Sequence, residues 1–154
     1  MANPAARTSN DSEWLFLELG ACLYTLGLVS HTLDHIRRGV GLLTPEVFWA
    51  GMVSTVFGVA TVVLIFAHAR QGPLFAAALG FPVAIGVAAV HFLPAWGAFS
   101  DPFPGGELRG VTLGSWIVVS IEIAGAAALG FAGLRALRRE RLAEPISVSS
   151  RKWQ

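Results

Sequence analysis

Three of the four histidines in this 154-residue chain fall at spacings that could hold a metal ion. The segment Ser30-His31-Thr32-Leu33-Asp34-His35 places two imidazoles four residues apart, with a carboxylate between them. On an α-helix, residues three and four apart share a face, so His31, Asp34 and His35 stack along about one turn. Two imidazoles at that spacing can chelate one ion. Asp34 could then be a fourth ligand, a base, or the group that orients an imidazole N–H. His91 follows in Val90-His91-Phe92-Leu93-Pro94. A nitrogen-rich set of this kind favours Zn, Fe or Cu over Mg or Ca. The plainer reading is a hydrogen-bonded cluster that pins two helices, or imidazoles that titrate near neutral pH.

Composition decides what positions these groups. Hydrophobic residues make up 54% of the chain and charged residues 14%, against ~25% charged in an ordinary soluble domain. Mean hydropathy is +0.61. Too few charges remain to cover a soluble surface, which excludes a soluble globular fold, a disordered chain and a nucleic-acid binder. A net charge of +1 implies no polyanionic partner, and a lone cysteine, Cys22, builds no disulfide scaffold. The partner that remains is the lipid bilayer.

Four apolar segments can cross ~30 Å of hydrocarbon at about 1.5 Å per residue. They run over about 14–36, 46–69, 73–94 and 111–137. A span must satisfy its own backbone, so each is read as a helix. Four spans without alternation cannot close a β-barrel. The expected fold is an all-α, four-helix transmembrane bundle, with a polar tail over 1–13 and a basic tail over 138–154. Thr44-Pro45-Glu46 reads as an N-cap, a first-turn proline and an acid near the positive end of the helix dipole. Trp14, Trp49, Trp96 and Trp116 fall near helix ends, where interfacial tryptophans belong. Residues 1–13 lack the basic region and cleavage site of a signal peptide.

Basic residues set the orientation. Arg7, Arg70, Arg135, Arg138, Arg139, Arg141, Arg151 and Lys152 share one side; Arg37, Arg38 and Arg109 share the other. The expectation is therefore two cytoplasmic termini in a bacterial-type plasma membrane, with the histidines toward the extracytoplasmic side. His31 lies five residues before Ile36, and His91 five before Trp96, so each sits ~7–8 Å inside its helix's outer end. The three histidines can thus meet at one depth.

Ionisable residues inside spans are costly and are functional candidates by default. Glu122, in Val119-Ser120-Ile121-Glu122-Ile123, is ~16 Å from the outer end of the fourth helix. That depth suits an orienting, proton-carrying or acid–base role better than direct ligation. Asp34 and Glu122 are therefore the candidate catalytic residues, and His31, His35 and His91 the candidate metal ligands. Glu18 and His68 fall near the inner boundary and read as interfacial. The loop 96–110 mixes aromatics, prolines and glycines with Asp101, Glu107 and Arg109. It reads either as an interfacial loop or as a lid, with Asp101 supplying an oxygen ligand. Arg37 and Arg38 could meet a phosphate, carboxylate or haem propionate, or could snorkel to the interface.

Helices three and four carry rows of small residues, Ser120-Ala124-Ala128 and Ala126-Gly130. Such rows allow close helix packing within the chain or a homo-oligomer contact. A weak echo pairs His31 with His91 and Glu46 with Glu107, which reads as two helix hairpins in tandem.

The set Ser30, His31, Asp34, His35 and His91 resembles the membrane zinc hydrolases that include alkaline ceramidases and progestin–adiponectin receptors. That superfamily combines Ser, Asp and three His at a membrane-embedded zinc. It has seven spans and a different residue order, so the resemblance rests on these few residues alone. If the metal site is catalytic, the plainest chemistry is metal-activated water attacking a lipid-like ester or amide, with Asp34 or Glu122 carrying the proton. Membrane desaturases share the H-x-x-x-H box but need about twice as many histidines as this chain has. Two alternatives stand beside a metal-dependent enzyme. One is a b-type haem redox protein using His31 or His35 with His91. The other is a non-enzymatic accessory subunit or a small proton-coupled transporter.

Overall fold

The computed structural model describes residues 4–105 and 109–143. Four helices make up the fold: α1 (Pro4–Arg38), α2 (Pro45–Phe66), α3 (Gly72–Phe92) and α4 (Leu113–Ala143). A short 3-10 turn, Val40–Leu42, links α1 to α2. Each helix contains a stretch long and apolar enough to cross a membrane: Asp11–Arg38, Pro45–Phe66, Gly72–Phe92 and Leu113–Leu142. Large apolar side chains such as Leu19, Leu26, Val56, Phe57 and Ile85 lie more than half exposed. A soluble monomer rarely shows contiguous apolar surface on this scale, whereas hydrocarbon covers it at no cost.

Helix boundaries follow local chemistry. The α1 helix closes at Arg38 because Gly39, at φ 100°, takes a backbone conformation that L side chains avoid. His35, Arg37 and Arg38 then occupy its last turn, where cations suit the helix dipole. Thr44 caps α2 by accepting a hydrogen bond from the Val47 N–H at 3.2 Å, with Pro45 at the first position. Two helices run past their expected limits. The α1 helix begins at Pro4, inside the expected polar tail, and α4 continues through Arg138, Arg139 and Arg141 to Ala143. Neither extension contains a proline after its first residue, so nothing in the local sequence breaks the hydrogen-bond ladder. Conversely, α2 stops at Phe66, and His68 sits in the following turn with φ 50°. Glu107, Arg151 and Lys152 lie outside the described residues, and of Arg7 only the backbone is described.

The α4 helix is the hub. It packs along α1 on one side and α3 on the other, while α2 touches its neighbours more lightly. The tandem-hairpin expectation thus differs from the packing: α1 lies against α4, not chiefly against α2. Small residues explain this. Gly20 faces Leu129, Gly27 faces Glu122, and Gly125 faces the Tyr24 backbone. The numbering rises on one helix as it falls on the other, so α1 and α4 are antiparallel. Gly80 meets Ala126 and Gly130, and Gly133 meets Pro73 and Ala77, which ties α3 to α4 in the same way. Without a solvent-driven hydrophobic term between helices in lipid, such backbone approach supplies the packing energy. The Ala126-Gly130 row is used inside the chain; Ser120 and Ala124 face outward.

Candidate metal centre

The C-terminal ends of α1 and α3 bring His31, His35 and His91 together. Their ring centroids are 4.5 Å apart for His31–His35, 4.8 Å for His31–His91 and 5.4 Å for His35–His91. Each offers one ring nitrogen, and the three nitrogens lie within 4.8 Å of one another. His31 and His91 are buried, and His35 is partly open. The matched positions counted back from the ends of the two helices thus become a single cluster.

The Nδ1 of each ring has a different hydrogen-bond partner. His31 Nδ1 is hydrogen-bonded to Glu122 Oε2, across the α1–α4 contact. Gly27 makes this possible, because its missing side chain lets the Glu122 backbone press against α1 one turn below His31. His91 Nδ1 donates to the backbone carbonyl of Asp101 at 3.0 Å. His35 Nδ1 accepts from the Arg38 guanidinium at 2.9 Å. His31 Nε2 is buried and, among the described residues, has no hydrogen-bond partner. A buried polar atom of this kind costs about 1–3 kcal/mol unless something occupies it.

A lattice of charges surrounds the histidines. Asp34 has both oxygens engaged: Oδ1 by Arg37 at 2.8 Å and Oδ2 by Arg38 at 3.1 Å. It therefore faces the arginines rather than the imidazoles. Arg37 also donates to the Gly110 carbonyl and to the Ser115 hydroxyl. The Arg38 side chain is almost fully buried and donates in addition to Asp101 Oδ2 at 2.7 Å. Burial pushes the Asp101 carboxyl up, but the hydrogen bond and charge of Arg38 outweigh it, aided by nearby His91 and His35. The carboxyl is held below its ordinary range.

The loop after α3 folds back over this cluster. Asp101 N–H donates to the Val90 carbonyl, and Phe103 N–H to the His91 carbonyl at 2.8 Å. The Phe103 ring lies against His91 with centroids 4.6 Å apart and under the Arg38 guanidinium at 5.2 Å. Thr44 ties the same loop to the start of α2 through the Ala98 carbonyl. Asp101 and Phe103 are both buried. The loop covers the histidines, and Asp101 serves them through its carbonyl and through Arg38.

Glu18 and His68 form a separate pair at the other end of the bundle. His68 Nε2 lies 3.0 Å from Glu18 Oε1, and its ring stacks on Trp14. Glu13 meets Arg135 and Arg139 nearby. Sequence reasoning missed several contributors. Ser115 and Phe103 carry no motif, and a backbone carbonyl such as that of Asp101 leaves no trace in residue type. Comparison with family models, with curated proteins and with solved structures found no match.

Proposed function

We propose that this four-helix membrane protein binds a transition-metal ion, Zn, Fe or Cu, in the histidine cluster beneath the 98–103 segment. The observation that carries this reading is the pattern of hydrogen bonds on the rings. A carbonyl can only accept, so His91 Nδ1 bears the proton and its lone pair sits on Nε2. A carboxylate at Glu122 does the same for His31. Two buried imidazoles thus donate through Nδ1 and keep a lone pair on Nε2, the usual support for metal-bound histidine, and one nitrogen of each ring lies within 4.8 Å of the others. The unpartnered His31 Nε2 fits the same reading.

A single ion suits the cluster better than haem. A porphyrin would have to slide between rings whose centroids are 4.8 or 5.4 Å apart. An ion needs no such gap. The chemistry it would supply there is Lewis-acid activation of a bound water or of a substrate oxygen. Glu122 is the carboxylate placed to take up charge through His31. Asp34, bound to two arginines, is a weaker candidate for proton transfer. A lipid-like substrate fits a site enclosed by membrane helices. Basic-residue placement supports cytoplasmic termini and an extracytoplasmic site.

Elemental analysis of the purified full chain tests the proposal. The expected result is about one transition-metal ion per chain, lost when His31 and His91 are both replaced by Ala. Equal metal content in that double variant would overturn it.

A further inference from the structure

The three imidazoles are not equivalent. A guanidinium carries only donors. Arg38 stands 2.9 Å from His35 Nδ1, so that nitrogen must accept. Neutral His35 therefore keeps its proton on Nε2, the opposite arrangement from His91 and from His31 beside a carboxylate. Arg38 has little freedom to turn away. Its side chain is 2% exposed, its Nε is held by Asp34 and its NH2 by Asp101. Phe103 lies against its guanidinium plane.

We propose that His35 is a fixed N–H donor rather than a third ligand, and that a small monoanion binds between its Nε2–H and a metal ion held by His31 and His91. This rests on the metal reading above. Ligand chemistry supports it: a small anion accepts from an N–H through one atom and carries the charge opposite to that of a metal ion beside it. Access agrees: the His35 side chain is 16% exposed, against 8% for His31 and 3% for His91. Arg38 acts as a positioning residue, because it sets which His35 nitrogen carries the proton.

The test uses the full chain in detergent, loaded with Co(II) and titrated with azide by visible absorption. The expected result is that His35→Ala retains Co(II) affinity within about threefold and loses azide affinity about tenfold or more, the size of a charge-assisted hydrogen bond. His91→Ala loses the Co(II) itself. If His35→Ala loses Co(II) as completely as His91→Ala, or binds azide as wild type does, the inference is overturned. If wild type takes up Co(II) but azide leaves its spectrum unchanged, this inference fails and the metal reading stands. If wild type takes up no Co(II), both fail. Nitrogen NMR of the metal-free wild type gives a second readout that needs no variant. His35 should show a proton on Nε2 and none on Nδ1, and the reverse would refute the role of Arg38. Replacing Arg38 by Gln should release that preference.

Discussion

Replacing Glu122 by Gln separates a metal site from a structural polar cluster. The side chains of His31 and Glu122 are 8% and 4% exposed, so their contact is shielded from water. Gln keeps the size of Glu and an acceptor oxygen for His31 Nδ1–H, but removes the charge. If His31 holds a metal, that charge raises the basicity of the ligand, and losing such a partner weakens binding about 10–100-fold. At about 1.4 kcal/mol per decade this is roughly 1.4–2.8 kcal/mol. Stability without metal should respond differently. Removing a buried charge relieves its desolvation cost, so the metal-free variant should melt at or above the wild-type temperature. Glu122→Ala is harsher. It leaves a buried N–H unpaired, which costs about 1–3 kcal/mol, and it should weaken metal binding at least as much. Competition against a chromophoric chelator gives the affinity, and thermal melting in detergent gives the stability. A Glu122→Gln protein with wild-type metal affinity and a lower metal-free melting temperature would refute the reasoning. Glu122 would then be a packing group only.

Three further outcomes follow from the packing and charges. Gly27→Ala places a methyl group against the Glu122 backbone. It should destabilise the bundle by about 1–3 kcal/mol, the usual cost of overpacking, and loosen metal binding, both measurable in detergent. Asp101→Ala should cost about 3–5 kcal/mol by leaving the buried Arg38 partly uncompensated, whereas Arg109→Ala, at the exposed rim, should change thermal stability by less than about 0.5 kcal/mol. Asp101 also sets an acid limb. Its folded-state carboxyl lies below the ordinary range, so its contribution is present at neutral pH. That contribution is lost as pH falls from about 4 through the depressed value. Asp101→Asn should flatten this part of the stability–pH curve, and an unchanged curve would contradict the pairing with Arg38.

Much of the fold was legible because the bilayer enforces it. Long apolar runs can only be helices, and Thr44-Pro45-Glu46 and Gly39 mark their ends by local chemistry alone. The histidine cluster was legible for a related reason: helical spacing and equal depth both follow from counting. Neighbours were not. That α1 lies on α4 depends on Gly20, Gly27 and Gly125 meeting across a hundred residues of chain, and each glycine by itself is unremarkable. The partners of the rings were also hidden. Arg38 reads as an interfacial arginine until the loop brings Asp101 over it. His91 is oriented by a carbonyl that any residue at position 101 would carry. Asp34 has the spacing of a ligand, and its bonds to the Arg37 and Arg38 guanidiniums could not be read from that spacing.

X-ray absorption at the metal edge, on the full chain loaded with Zn or Cu, tests the metal centre most directly. The account predicts imidazole nitrogens at about 2.0–2.1 Å, with the outer-sphere pattern of histidine. It also predicts that the signal disappears in the His31→Ala, His91→Ala double variant. A spectrum of oxygen ligands alone, or one unchanged by that double replacement, would contradict it.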